Sequence, residues 1–360
     1  MASWICSRDA LALTTMAVVQ FSAVGMNTLY KAANLKGLSY FVYFSYSCAL
    51  GTFLLLCIWS VFSRKKLDSL TPSVLYRIIL LSLISFFARI CGFKGLEYSS
   101  PTLSSAIGTL TPAFTFILAV IFRMEKVDGR IASTRAKAIG TAVSVSGALL
   151  AVLYKGPEII SPRSAVAPVL SFPHPLQTST TNWALGGGLL TVENLLNSSA
   201  FILMRHIVMM YPNLLTMSFL NNLFVTIITI PVSFLVESDM SAWRLRQDIT
   251  LIAVIFSGFF GSAFISTVHT LCSFLKGPLY IAIFAPVSIV VAAAASVIFL
   301  GDALYLGSVI GAVILLLGFY AVLWGKAKEE KSMDCTGSDI SGEASDGKTP
   351  LLRSPSQENV

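Results

Sequence analysis

The sequence predicts an all-α polytopic membrane protein: ten transmembrane helices, arranged as two inverted five-helix repeats. Three observations carry that expectation. Only 12% of the 360 residues are charged while 55% are hydrophobic, and the mean hydropathy is +0.77. A soluble domain usually carries about 25% charged residues, so this chain has too few to cover a water-facing surface. Ten segments are long and apolar enough to cross a bilayer, and the closing span of one half of the chain resembles the closing span of the other.

A span needs roughly 20 apolar residues, at a rise of about 1.5 Å each, to cross ~30 Å of hydrocarbon. In chain order the segments are Ala10–Tyr30, Phe41–Phe62, Ile78–Leu96, Thr102–Phe122 and Ala138–Tyr154, then Ala184–Met204, Leu214–Val236, Ile249–Leu271, Leu279–Leu300 and Ala303–Trp324. The first has only Arg8 ahead of it and no small-residue cleavage site, so it reads as a retained span and not a signal peptide. Basic residues gather in alternate loops. Arg64, Lys65, Lys66 and Arg77 follow the second span, Arg123, Lys126, Arg130, Arg135 and Lys137 follow the fourth, and Lys326, Lys328 and Lys331 open the tail. That bias predicts both termini in the cytoplasm, in agreement with an even number of spans.

The spans divide the chain into four parts. Residues 10–154 and 184–325 form the two five-helix units. Between them, 155–183 contains Pro157, Pro162, Pro168, Pro173 and Pro175 and is expected to be an irregular linker on the outer side. The tail, 326–360, is rich in Ser, Gly and acidic residues with little apolar content, which predicts disorder.

The repeat is read by setting IGTAVSVSGALLAVLYK (Ile139 to Lys155) beneath IGAVILLLGFYAVLWGK (Ile310 to Lys326). Ile139/Ile310, Gly140/Gly311, Gly147/Gly318 and Lys155/Lys326 align without a gap. Each is preceded by a proline, an apolar run and an acid: Pro112 to Glu125, and Pro286 to Asp302, the second run being longer. Five spans is an odd number, so the second unit enters the membrane with reversed sense, as in secondary transporters whose halves rock around a central site. Glu125 would then face the cytoplasm and Asp302 the outside. These four residues are the hinge and gate candidates. Pro112, near mid-span, is expected to remove one backbone hydrogen bond and kink its helix.

Several function classes are disfavoured. The net charge of +7 comes from loop residues of a membrane pattern, with no basic patch interleaved with aromatics, so nucleic-acid binding is not expected. The six cysteines have neither disulfide nor zinc spacing. His174, His206 and His269 are scattered and no HExxH occurs, so neither metal nor hydrolytic chemistry is indicated. Gly186-Gly187-Gly188 is not followed by Lys and Ser or Thr, and no other nucleotide motif is present, so no cofactor is implied. A receptor or scaffold would be expected to bring a folded extramembrane domain.

Polar side chains inside spans are costly and mark partners, cavities or pathways. Asn27 and Lys31 continue the stripe begun by Gln20 in the first span. Glu193 and Asn197 stand one turn apart in the sixth, and Asn194 and Ser198 repeat that spacing one position on. Ser262, Ser266, His269 and Ser273 recur at helical spacing in the eighth, and Arg89 is a cation within the third. The substrate-path candidates are therefore Gln20, Asn27, Arg89, Glu193, Asn197, Ser266 and His269. Arg89 would receive a carboxylate through a bidentate contact, and Glu193 an amino group or a coupling proton. The competing reading pairs Arg89 with Glu193 as structural glue, and treats Asn221 and Asn222 as interhelical hydrogen-bond partners.

GMNTLYKAANLKG (Gly25–Gly37), GLEYSSPTLSSAIGTLTPAFTFILAVIFRMEKV (Gly95–Val127), VHTLCSFLKGPLYIAIFAPVSIVVA (Val268–Ala292) and FLGDALYLGSVIGAVILLLGFYAVLWGKAKE (Phe299–Glu329) resemble the plant drug/metabolite transporters of the EamA type. The likeness is to the nodulin-like "walls are thin"-related group, also called "usually multiple acids move in and out" transporters. Leu271, where relatives commonly have an aromatic, and Ala285, where a Lys is frequent, depart from that pattern. The resemblance implies movement of amino acids, or auxin-like and related organic acids, across a plant membrane. The plasma membrane is the expected address and the tonoplast the alternative. A sugar-phosphate or nucleotide-sugar exchanger of the same superfamily is the second reading, although phosphate would ask for more buried cations than Arg89 and Lys94.

Overall fold

A computed structural model describes residues 2–34, 36–62, 71–98, 104, 107–124, 132–154, 157–160, 183–245, 248–295 and 304–346. Glu125 and Asp302 lie outside them, as do most of the linker and the end of the tail. Apart from turns and one short strand pairing, the described residues are helical. Its helices are α1 (Ala2–Asn34), α2 (Tyr40–Phe62), α3 (Pro72–Tyr98), α4 (Thr111–Ile121), α5 (Ala132–Leu153), α6 (Trp183–Met210) and α7 (Leu214–Val236). There follow α8 (Ile249–Phe256), a π-helical stretch (Ser257–Ile265) that continues into α9 (Ser266–Lys276), then α10 (Pro278–Ile283), α11 (Val287–Ala295) and α12 (Leu306–Asp346).

Helix ends follow local chemistry. At the end of α1, the Leu38 N–H donates to Ala33 O (3.2 Å) and Gly37 N–H to Asn34 O (2.8 Å), with Gly37 at φ +91°. This is a Schellman turn, and glycine takes the positive φ without steric cost. The same pattern closes α4, with Met124 N–H to Ala119 O (2.8 Å) and Arg123 N–H to Val120 O (3.0 Å). There the left-handed residue is Arg123, at φ +55°. Asn213 caps α7 by accepting from Thr216 N–H, and Asp248 caps α8 by accepting from Thr250 N–H.

Both repeat-related prolines interrupt helices, where a kink within one continuous span was expected for Pro112. Pro112 lies in the first turn of α4, after a turn at Thr109 and Leu110. Its ring nitrogen cannot bond the Gly108 carbonyl, and the Thr111 hydroxyl takes that acceptor at 2.7 Å. Pro286 stands between α10 and α11 in a run of three-residue turn bonds, from Phe284 N–H on Ile281 O (3.2 Å) to Ile289 N–H on Pro286 O (3.1 Å). Among the described residues, the fourth and ninth segments are therefore each interrupted at the proline.

Among the described residues, five helical stretches are long and apolar enough to cross a membrane: Leu11–Asn34, Tyr40–Phe62, Pro72–Leu96, Leu214–Val236 and Ile249–Lys276. Shorter apolar helices cover Thr111–Ile121, Pro278–Val291 and Val309–Gly325. The outward faces are greasy, with Phe21, Phe53 and Leu235 all largely exposed, as a lipid-facing surface requires. Inside, Ile78 and Leu81 of α3 pack on Ala200, Met204 and Ile207 of α6 and Met217 of α7. Met16 and Val19 of α1 pack on Val268 and Cys272 of α9 and Phe284.

Two features depart from the expected domain limits. Glu158–Ile160, in the linker, forms a strand that pairs antiparallel with Leu304–Tyr305, Glu158 opposite Tyr305 and Ile160 opposite Leu304. The β-branched Ile159 and Ile160 suit such a pairing. The last helix also runs past Lys326 to Asp346; Ala327, Lys328, Glu329 and Glu330 favour helix, whereas the Ser, Asp and Gly residues beyond Ser332 do not.

α5 and α12 cross closely through glycine. A methyl group at Gly140 would lie 2.8 Å from Gly318 O, and one at Gly147 would lie 2.9 Å from Gly311 O and overlap Leu315 N. The order of these contacts makes the two helices antiparallel. Gly147→Val should overpack this seam and cost about 1–3 kcal/mol, measured as a lower Tm of the purified protein in detergent.

On the surface, Lys36 Nζ donates to Asp248 Oδ2 at 3.3 Å, tying the α1–α2 turn to the start of α8. The Thr250 N–H and hydroxyl, with Lys36 behind them, hold the Asp248 carboxyl below its ordinary 3.8. A depressed carboxylate contributes its full stabilisation above the ordinary value and loses it as pH falls through the folded one. The Tm difference between the wild type and Asp248→Ala should thus stay constant from about pH 7 to pH 5 and narrow below about pH 4.

Candidate functional site

A cavity of about 140 Å³ opens between α1, α2, α3 and the π-helical stretch. α1 contributes Met26, Asn27 and Tyr30, and α2 contributes Tyr40, Tyr43, Phe44 and Ser47. Arg89 enters from α3, and Ser257, Gly261 and Ser262 from the π stretch. The wall from α2 follows from sequence spacing: positions 40, 43, 44 and 47 lie on one helical face. Tyr30 packs on Tyr43 with ring centroids 4.7 Å apart, and Tyr40 stacks on Phe93 at 4.1 Å. These contacts fix the ring planes around the space.

Arg89 is the cation of the cavity. Its guanidinium lies 5.2 Å from the Phe44 ring centroid, a cation–π contact. Both Arg89 and Asn27 are solvent-accessible. The Ser47 hydroxyl, in contrast, is buried with no hydrogen-bond partner. The site thus offers a planar five-donor cation, an amide, hydroxyls and aromatic faces, which suits a small molecule carrying a carboxylate beside an apolar body.

Glu193 stands next to this cavity without lining it. It is half-buried on α6, and its carboxyl rests against Gly92 of α3, one turn from Arg89. Arg89 and Glu193 form no ion pair. The structure brings Asn27 and Arg89 together in the cavity with Glu193 beside them. The other candidates lie apart. Gln20 is buried on α1. Asn197 is half-buried one turn along α6 from Glu193. Ser266 accepts from Asn222 Nδ2 at 2.9 Å, and His269 meets Phe201 edge-on at 5.7 Å.

Other buried polar side chains tie helices together. Thr111 Oγ1 lies 2.6 Å from Asn194 Oδ1, and Thr115 Oγ1 donates to Ser198 Oγ at 3.0 Å, so α4 and α6 share two polar rungs one turn apart. Ser82 donates to Asn221 Oδ1 at 3.0 Å, and Thr52 and Thr226 share a proton at 2.7 Å. The aromatic and serine walls of the cavity had escaped sequence reasoning, although the Tyr40–Ser47 spacing carried the signal. Ser262, noted only as part of a polar stripe, lines the cavity.

Membrane-length helices packed around a polar, aromatic-walled cavity define a multi-pass membrane protein. Comparison with known proteins agrees. The EamA-like transporter family matches residues 10–153. WAT1-related protein At5g40240 of Arabidopsis thaliana is 46% identical over 338 residues, covering 93% of this chain and 92% of that protein. WAT1-related protein At4g15540 of the same plant is 45% identical over 335 residues, covering 93% of each. A solved crystal structure at 13% identity shares the fold, with a TM-score of 0.61 over 88% of this chain and 99% of that one. The chain belongs to the WAT1-related family of EamA-like transporters and is a membrane transporter of the drug/metabolite superfamily.

Thr111 serves two acceptors with one proton, Gly108 O and Asn194 Oδ1. Thr111→Val should leave both without it and lower stability by about 1–3 kcal/mol. Thr191→Val, which removes an exposed bond to Gly187 O, should lower the Tm in detergent far less.

Proposed function

We propose that the chain is a secondary transporter of amino acids or related organic acids, auxin-like molecules included, working by alternating access. The observation that carries the reading is Arg89 in an aromatic-walled cavity, with the Glu193 carboxyl against Gly92, one helical turn from Arg89 on α3. Arg89 binds the substrate carboxylate, the tyrosine and phenylalanine faces cover its apolar body, and Glu193 meets an amino group or carries a coupling proton.

The ten-helix, two-repeat architecture is part of the proposal. Gly140 aligns with Gly311 and Gly147 with Gly318, yet Gly140 meets Gly318 and Gly147 meets Gly311. Swapped partners of this kind are what a two-fold relation between equivalent elements produces. The broken helices at Pro112 and Pro286 fit the discontinuous helices of inverted-repeat transporters, and these prolines act as hinges. Glu125 and Asp302 act as contacts at opposite faces. Both termini face the cytoplasm, with the plasma membrane as the address and the tonoplast as the alternative. A sugar-phosphate exchanger fits less well, because Arg89 is the only cation lining the described cavity.

The test is radiolabelled uptake and efflux of an amino-acid panel and auxin in oocytes at two external pH values. At least one such acid should move with the wild type. Arg89→Ala and Glu193→Gln, at equal surface amounts, should each reduce that movement by about tenfold or more, as loss of one charge-assisted contact implies. Movement of none of these acids would defeat the reading.

A further inference from the structure

We propose that Gly92 is a positioning residue, a notch in α3 one helical turn from Arg89 that seats the Glu193 carboxyl. The proposal rests on the reading above, that Arg89 and Glu193 serve the transported molecule. Gly92 follows Arg89 by three positions on α3, so the two share a face. Glu193, from α6, crosses that face. A methyl group at Gly92 would overlap Cδ and Oε1 of Glu193 and lie 2.6 Å from Oε2. The three atoms nearest to such a methyl all belong to that carboxyl.

The neighbouring glycine does different work. A methyl group at Gly95 would lie 2.8 Å from Leu190 Cγ and 3.1 Å from Leu190 N, so Gly95 governs how near the two helix backbones come. Gly92 meets the tip of one acidic side chain instead. Glycine within a helix is destabilising relative to alanine, and what the missing methyl provides here is room for a carboxyl. α3 cannot simply turn away to make that room. Phe93, next in sequence, is stacked on Tyr40 at 4.1 Å, and Ile78, Leu81 and Phe86 anchor the helix in two apolar clusters. With a methyl at Gly92, the carboxyl must take another rotamer and leave its seat beside Arg89.

The notch makes a specific prediction about chain length. Aspartate at position 193 is one methylene shorter and withdraws its carboxyl from position 92. The experiment measures transport of the acid found to move, per unit of surface protein, in Gly92→Ala, Gly95→Ala, Glu193→Gln and Glu193→Asp, and in both glycine variants combined with Glu193→Asp. Gly92→Ala should lose about tenfold or more, since misplacing a functional group by about 1 Å can cost on the order of 10²-fold. Gly92→Ala/Glu193→Asp should transport better than Gly92→Ala alone, whereas Glu193→Asp should give Gly95→Ala no relief.

Wild-type transport in Glu193→Gln would overturn the reading of Glu193 and the notch with it. An inactive Glu193→Gln beside a fully active Gly92→Ala would overturn the notch alone. So would a loss in Gly92→Ala that Glu193→Asp does not relieve, or relief of both glycine variants alike. Should Gly92→Ala fail to reach the surface, the same comparison applies to surface amount and Tm. Recovery of both in the double variant supports the notch, and no recovery overturns it.

Discussion

Inside hydrocarbon, a main-chain N–H or C=O that loses its helical partner must find another within the protein. The helix breaks at Pro112 and Pro286 follow that constraint. Where Pro112 removes a donor, the Thr111 hydroxyl takes over the Gly108 carbonyl. Where Pro286 does so, the chain tightens into three-residue turn bonds through Ile289. At the end of α9, Arg205 donates to the Ser273 and Phe274 carbonyls from a neighbouring helix, placing a cation where the helix dipole favours one. At these two prolines the freed carbonyls, Gly108 O and Ala282 O, each have another donor nearby.

Close approach is the second requirement, since lipid supplies no hydrophobic drive between helices. Glycine provides it in several forms. At the α5–α12 seam it lets two backbones meet. Gly51 of α2 faces the π-helical stretch, where a methyl group would overlap Ser262 and lie 3.0 Å from Gly258 O. That contact brings Ser257, Gly261 and Ser262 to the cavity wall. At Gly92 the space is filled by a carboxyl. The same residue type thus serves packing in one place and the site in another, and only the identity of the neighbour separates them.

Buried polar groups divide in the same way. Asn194, Ser198, Asn221 and Asn222 have partners on adjacent helices and act as fasteners. Arg89, Asn27 and Ser47 face a cavity, with the Ser47 hydroxyl unpartnered. Burying the Ser47 hydroxyl without a partner is costly, whereas Arg89 and Asn27 stay open to solvent. A cation held over Phe44 and near the Glu193 carboxyl keeps part of its stabilisation while leaving donors free.

By itself the sequence determined the membrane class and the approximate position and order of the described helices, because hydropathy depends only on local composition. Leu214–Val236 is recovered to the residue, and the aligned Ile-Gly runs already marked α5 and α12 as related. It also marked Arg89, Asn27 and Glu193, since a charge or amide in an apolar run is visible without a fold. Tertiary structure decided the rest. The helix breaks at Pro112 and Pro286 depend on which groups stand near the freed carbonyls. The separation of Ser266 and His269 from the cavity depends on how α9 is rotated, and the seating of Glu193 depends on a missing methyl on another helix 101 residues away in sequence. Periodicity says which residues share a face. What that face meets is fixed only when a second helix packs against it.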